Sequence, residues 1–288
     1  MHRCGVKSFR AKSGLGYPFL CHIGDFIGEL PFYNLENCKK EIRVMSLWCG
    51  KIDNPVIFDV GANLGFMATQ LAQALRSQNP RIIAFEPVPS TFAKLTQSVR
   101  CLKLEKYVSA VCCAVSDSCG LCSIAYDPAQ SLFAQIRDDK FNKRAGAQVT
   151  FASCLTLDGA AESLGLKPSL VKIDVEGFEG HVLRGAKRLL SSCQPPAVCF
   201  EWNPITMKEV GAPPSTVVQE LCNYRTFYID DFEGQKMPFG EEVRDLSKIG
   251  WISNIFAVPY NSNALNHWAR CCDEIAATSR TAREVSYH

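Results

Sequence analysis

The sequence predicts an α/β fold, a mostly parallel sheet with helices packed on both faces. Two observations carry that prediction. From residue 56 onward, short apolar runs alternate with amphipathic segments of helical period, and this alternation specifies a parallel sheet. A glycine-bearing turn, residues 61–65, also joins the first apolar run to the first helix, as in nucleotide-binding sheets. The chain has 288 residues, 47% of them apolar and 21% charged. That suffices for a full core and excludes an intrinsically disordered chain.

The elements follow in order. Residues 1–54 show no sustained periodicity and are expected to form an N-terminal cap of short elements. Val56-Ile57-Phe58-Asp59-Val60 is the first strand, a continuous apolar run suited to burial on both faces. A helix spans about 64–76, with Leu64, Met67, Ala68, Leu71 and Leu75 on one face. Residues 81–86 form the second strand, stopped by Pro87, and helix 89–101 presents Phe92, Leu95 and Val99. Residues 107–115 are the third strand. The stretch 118–154 breaks the rhythm with Gly120, Pro128 and Gly146; it reads as an antiparallel insertion whose loop, 126–148, serves as a lid. Residues 169–175 are the fourth strand, followed by helix 178–190. Residues 197–202 form the fifth, and helix 214–223 leads to a strand at 225–229. Residues 254–258 close the sheet as the antiparallel partner of a hairpin at its C-terminal edge. The α/β core thus runs over 55–260, and 261–288 form a polar helix and tail.

Lys and Arg number 31, Asp and Glu 29, a net charge of +2. No basic stripe stands out, so nucleic acid is not an expected partner. No apolar run reaches the roughly 18 residues of a membrane span. The 15 cysteines include adjacent pairs, Cys112-Cys113 and Cys271-Cys272, without a disulfide rhythm. They read as thiols of a reducing, cytoplasmic protein. The first residues are basic and lack the apolar stretch of a secretory signal; organellar import is the lesser alternative. Cys119-Gly120-Leu121-Cys122 has zinc-like spacing, but a turn into the inserted hairpin explains it, and no metal is expected.

The turn Asp59-Val60-Gly61-Ala62-Asn63-Leu64-Gly65 carries the first functional signal. Its glycines allow close backbone approach, and the helix N-terminus behind it offers N–H groups to an anion. Glu86 ends the second strand, 21 residues after Gly65; an acid there can accept both ribose hydroxyls of an adenosine ligand. The dinucleotide pattern Gly-x-Gly-x-x-Gly is missing, which leaves a nicotinamide dehydrogenase the weakest reading. Asp59 would repel a pyrophosphate but attract an ammonium. S-adenosylmethionine, with an ammonium, a sulfonium and one carboxylate, suits that arrangement.

Together with Ala84-Phe85-Glu86-Pro87, Ala114-Val115-Ser116-Asp117, Thr156-Leu157-Asp158, Lys172-Ile173-Asp174-Val175-Glu176-Gly177, Val182-Leu183-Arg184-Gly185-Ala186 and Phe200-Glu201, in this order, the turn resembles the FkbM-type methyltransferases over about 56–258. The resemblance implies the seven-stranded, Rossmann-like fold of class I methyltransferases, S-adenosyl-L-methionine as cofactor, and methylation of hydroxyl oxygens. It implies that Gly61, Asn63 and Gly65 line the methionine moiety, Glu86 the ribose, and Ser116 and Asp117 the adenine.

Lys172, Asp174 and Glu176 alternate on the fourth strand and so share one face while the strand lasts. Charges in an apolar strand are costly to bury unpaired. One reading is a Lys172 salt bridge that holds the end of the sheet. The other places Asp174 in the crevice at the strands' carboxyl ends, to hold the cofactor's ammonium or to deprotonate the acceptor. Glu201, ending the fifth strand, is a second candidate base, and Glu176 is expected to be structural. The expected acceptor is a small molecule, sugar or glycan. RNA or protein methylation, and a non-catalytic cofactor-binding scaffold, are the alternatives. The oligomeric state is not legible.

Overall fold

The computed structural model describes residues 7–25, 39–127, 134–136, 148–231 and 236–285. The N-terminal segment begins with an antiparallel hairpin, β1 (Ser8–Lys12) and β2 (Pro18–His22). Helix α1 (Lys39–Cys49) follows. The repeating part then runs β3 (Val56–Val60), α2 (Phe66–Ala74), β4 (Arg81–Phe85), α3 (Pro89–Cys101) and β5 (Val108–Val111). Four further strands form a separate sheet: β6 (Ala114–Val115), β7 (Gly120–Tyr126), β8 (Ala134–Ile136) and β9 (Gln148–Leu155). Helix α4 (Leu157–Leu164) returns the chain to β10 (Leu170–Ile173), then α5 (Glu179–Arg184), α6 (Lys187–Leu190) and β11 (Ala197–Trp202). Last come α7 (Pro204–Glu209), α8 (Ser215–Glu220), β12 (Tyr224–Asp231), β13 (Ser253–Pro259) and α9 (Ser262–Val285).

The main sheet has seven strands in the order β12-β13-β11-β10-β3-β4-β5. All pairs from β11 to β5 are parallel, and β13 runs antiparallel to both neighbours. This is the expected α/β sheet, with one refinement. The strand at 253–259 inserts between β11 and β12, so β12 rather than the last strand forms the edge. The chain lays β3, β4 and β5 outward, then returns to place β10 on the other side of β3. The strand order therefore reverses between β3 and β10, and in such sheets the ligand crevice lies at the carboxyl ends of the strands at that point.

Apolar residues fill both faces. One layer joins Phe58, Phe85, Val171, Phe200 and Trp202 to α5, α7 and α8. The other joins Ile57, Ile82, Leu170 and Phe256 to α1, α2 and α9. The N-terminal cap is thus part of the second layer: Ile42, Val44, Met45 and Trp48 of α1 are buried there. The hairpin docks beside it through Ser13 Oγ, which donates to Gln70 Oε1 at 2.7 Å, and Lys94 Nζ, 2.8 Å from Asp25 Oδ2.

Three sequence expectations change. The strand expected at 107–115 divides, because β6 leaves β5 to pair in parallel with β9 in a separate four-stranded sheet. The helix expected at 178–190 breaks at Gly185. A Cβ there would stand 2.1 Å from Ser116 O, and the Gly185 carbonyl accepts the Asp158 amide at 2.9 Å. The fourth strand ends at Ile173 rather than 175, since Glu176 turns to φ 54 and Gly177 to φ 102. The lid expected over 126–148 lies mostly outside the described residues. Among the described residues every cysteine is a free thiol, and no helix is long and apolar enough to cross a membrane.

Two glycines separate the cost of contact from the cost of conformation. Gly165 caps α4 with φ 62 and open space around it, whereas Gly185 has ordinary helical φ but no room. Gly165→Ala should cost about 1 kcal/mol, the left-handed penalty. Gly185→Ala should cost clearly more, about 2–4 kcal/mol, because backbone must move. Urea midpoints of the two variants check the ranking; equal losses would contradict it.

Candidate active site

The β3–α2 turn is built on left-handed positions. Gly61 has φ 77, Asn63 φ 50 and Gly65 φ 80. Only glycine fits at 61, because a Cβ would lie 1.8 Å from Asp174 O; at 65 it would meet Leu95 Cδ1 at 2.3 Å. These glycines therefore permit close packing of β3 against β10 and α3. The turn's amides are also committed. Gly61 N and Ala62 N donate to Phe85 O at 3.1 and 3.0 Å, and Gly65 N to Ala62 O at 2.8 Å. The amides of Gly61, Ala62 and Gly65 are thus already spent within the protein.

Asn63 N donates to Glu86 Oε2 at 3.0 Å, and Val88 N donates to Glu86 Oε1 at 2.9 Å. The carboxyl of Glu86 is 4% exposed at the end of β4 and ties the turn to the next strand. Each oxygen still has a second lone pair for a hydroxyl. Burial pushes its pKa up to about 7, against the pull of the Val88 and Asn63 amides.

A row of polar side chains crosses the carboxyl edge of the sheet on the α1 side. Lys172 pairs in register with Asp59 on one side and Cys199 on the other. Glu201 lies two residues beyond Cys199, opposite Asn254, which in turn lies opposite Asp230. Paired residues share a sheet face. Lys172 is 6% exposed, with Nζ 3.2 Å from Asp174 Oδ2 and 3.7 Å from Asp59 Oδ1. Burial pulls the ammonium down, but Asp174, Asp59 and Glu41 outweigh it, so the lysine stays charged. Asn254 Nδ2 donates to Asp230 Oδ1 at 3.0 Å.

The acids differ in exposure. Asp59 is fully buried, and burial raises its pKa against the pull of Lys172. Glu201 is held well above the ordinary carboxyl range, first by burial and then by Asp174, Glu176, Glu179 and Glu41. The side chain of Asp174, by contrast, is 42% exposed. Glu176 has left the strand and does not continue the face of Lys172, contrary to the alternation of the sequence. Trp202, next to Glu201, is wholly buried and its Nε1 donates to Ile249 O at 2.9 Å.

Ser116 and Asp117 follow β6 on the far side of the crevice. Ser116 N donates to Leu155 O at 2.9 Å. Asp117 Oδ2 takes His181 Nδ1 at 3.0 Å and Arg184 Nη2 at 2.9 Å. Burial opposes the charge, but these partners hold Asp117 below the usual carboxylate range. Its side chain thus faces α5.

Two members escaped sequence reasoning. Glu41, on α1, is 6% exposed, and burial followed by Asp230 raises its pKa. Nothing in the sequence joins an N-terminal helix to this row. Glu179 is wholly buried behind the 174–177 turn. Among the described residues no group of three or more His, Cys, Asp or Glu has the geometry of a metal site.

Residues 59–232 match the Methyltransferase FkbM domain family. The chain belongs to that family. It is 31% identical over 140 residues to the hexuronic acid methyltransferase AglP of Haloferax volcanii, covering 49% of this chain and 53% of that protein. It is 26% identical over 158 residues to the methyltransferase sdnD of Sordaria araneosa, covering 46% and 60% respectively. The chain therefore spans little more than half the length of these relatives. Methyltransferase FkbM from Methylobacillus flagellatus, a solved structure, aligns with TM-score 0.44 at 13% identity, over 71% of this chain and 43% of that one. The family match includes Asp59, Glu86, Lys172, Asp174 and Glu201 but not Glu41.

The position of Glu86 makes stability depend on pH. Its folded pKa of about 7 lies above the ordinary 4.5, so between those values the folded state holds a proton that the unfolded chain has released. Its contribution is fully present below the unfolded value and is lost as pH rises through the folded one. At about 1.4 kcal/mol per unit, that is on the order of 3 kcal/mol. Glu86→Gln should flatten this part of the profile. Melting curves at pH 5 and 8 check it: the gap between the two should narrow in the variant, and an unchanged gap would contradict the assignment.

Proposed function

We propose that this methyltransferase-family chain binds S-adenosyl-L-methionine in the crevice between β3 and β10 and methylates a hydroxyl of a small molecule, sugar or glycan. The observation that carries the reading is Asp174: the most open acid of the row, it stands across from Gly61 and is held by Lys172. The donor set fits the cofactor. Glu86 presents two carboxyl oxygens with lone pairs to spare, suited to a ribose diol, and Asp174 offers an exposed carboxylate suited to an ammonium, whereas Asp59, fully buried, acts behind it through Lys172. When bound, the cofactor supplies an electrophilic methyl group.

The chain's own work is then alignment and proton removal. Asp174 accepts the proton of the attacking hydroxyl, and its exposure lets an acceptor reach it. Lys172 holds that carboxylate in place from below the sheet edge. Glu201, whose pKa burial and neighbouring acids raise well above the ordinary carboxyl range, acts as a hydrogen-bond partner for a second hydroxyl rather than as the base. The named relative that acts on a hexuronic acid supports a sugar-type acceptor. The near-neutral chain charge of +2 supports an acceptor other than nucleic acid.

Two measurements test this. Calorimetry should show S-adenosylmethionine binding, weakened by about 1–3 kcal/mol in Glu86→Ala through lost charge-assisted bonds. Labelled cofactor incubated with cell extract should identify the acceptor. Single-turnover transfer to it should then fall by roughly 10²-fold in Asp174→Asn and far less in Glu201→Gln. Absence of cofactor binding would refute the reading, and a larger loss in Glu201→Gln would move the base to that residue.

A further inference from the structure

The turn that carries Asp174 out of β10 has an unusual support. Glu176 holds a left-handed backbone, φ 54, without being glycine, a conformation that costs about 1 kcal/mol or more and persists only where its surroundings impose it. On one side the turn is pressed against β3, where Asp174 N donates to Val60 O at 3.0 Å and Gly61 leaves no space for a side chain. On another, Gly177 packs against α7, where a Cβ would lie 2.9 Å from Thr206 O. The interior of the turn is filled by one side chain. Glu179 is wholly buried, and its Oε1 accepts the amide protons of both Val175, at 3.1 Å, and Gly177, at 3.2 Å. Its second oxygen, Oε2, is buried without a hydrogen-bond donor. A wholly buried carboxyl is costly, and a packing role alone would be served by an apolar residue.

We propose that Glu179 is a positioning residue: by gathering the Val175 and Gly177 amides onto one oxygen it sets the turn that presents Asp174 to the crevice. This rests on the reading of Asp174 as the acid that meets cofactor and acceptor. The two amides flank the left-handed Glu176, so the bonds act where the backbone is strained. Without them, a buried and a part-buried N–H group lose their acceptor and the turn relaxes toward other conformations. Asp174 would then lose its fixed approach to Lys172. The function needs an acceptor oxygen at Oε1 rather than a charge, and both the ionised and the neutral carboxyl provide it. A glutamine side chain provides it too.

The test uses Glu179→Ala and Glu179→Gln in the full chain. Amide hydrogen exchange is followed at Val175 and Gly177, with amides of β3 and β4 as internal reference, and S-adenosylmethionine binding is measured beside it. In Glu179→Ala, exchange at both amides should accelerate about tenfold or more, the worth of one lost bond, with the reference strands unchanged. Cofactor affinity should fall severalfold. Glu179→Gln should restore both towards wild type. If Glu179→Ala does not fold, Glu179→Asp, one methylene too short to reach the turn, takes its place and should behave as the alanine variant was expected to. Unchanged exchange in the truncated variant, failure of glutamine to restore it, or faster exchange with wild-type cofactor affinity would each overturn the proposal. A wild-type chain that binds no S-adenosylmethionine would instead remove the function on which it rests, while the exchange rates would still show whether Glu179 holds the turn.

Discussion

The contact between Gly61 and the backbone of Asp174 is the constraint on which the rest of the structure depends. The two lie at the ends of β3 and β10, the strands between which the order of the strands reverses. A side chain at 61 would occupy the space of the Asp174 carbonyl, 1.8 Å away. Because that space is empty of Cβ, the two strand ends close together and Asp174 N continues the ladder to Val60. Lys172, one pleat earlier, then falls in register with Asp59, so its ammonium can serve the carboxyls of two strands. The turn from β10 must bend sharply immediately afterwards, which is why Glu176 and Gly177 adopt positive φ.

That geometry sets an electrostatic balance. Lys172 is one buried cation among Asp59, Asp174 and Glu41. Burying an ion pair is close to neutral in net energy, whereas removing one partner costs roughly 3–5 kcal/mol because the other is left uncompensated. The row therefore does little for stability but fixes which groups keep a charge. Glu201 and Glu41 have their carboxyls raised by burial and by neighbouring acids, while the open position of Asp174 leaves it in contact with solvent. Acids of one chemical type thus take different roles through burial and neighbours alone.

The additions to the sheet serve it in different ways. The N-terminal segment lays α1 into the second core layer and, with Glu41, reaches the polar row from outside the span matched by the family. The inserted sheet buries Ile124, Ala152 and Cys154 against Val88 and Ala114. Its opposite face exposes Leu121 and Phe151, at 79% and 74%. Alternation along β7 and β9 decides this: Leu121, Ser123, Phe151 and Ser153 share the outer face, and Cys122 and Ala152 the inner.

The sequence alone determined the sheet and its main ligand-facing corner. The strands at 56–60, 81–85 and 197–202 and the helix at 89–101 are local patterns, an apolar run or a helical stripe bounded by Gly or Pro, and such signals need no distant partner. The seven motifs, taken in order, likewise pointed to the family. Tertiary structure decided what depends on residues far apart in the chain. The strand at 107–115 read as continuous because nothing local shows that Ala114 and Val115 pair with Cys154 and Leu155. The helix at 178–190 read as unbroken because the obstacle at Gly185 is the carbonyl of Ser116. The alternation of 172, 174 and 176 promised one face, but the strand ended at 173 when Glu179 took the amides of 175 and 177. The role of Glu41 was invisible for the same reason: a carboxylate on a helix looks like a solvated face until the fold buries it against a lysine 131 positions later.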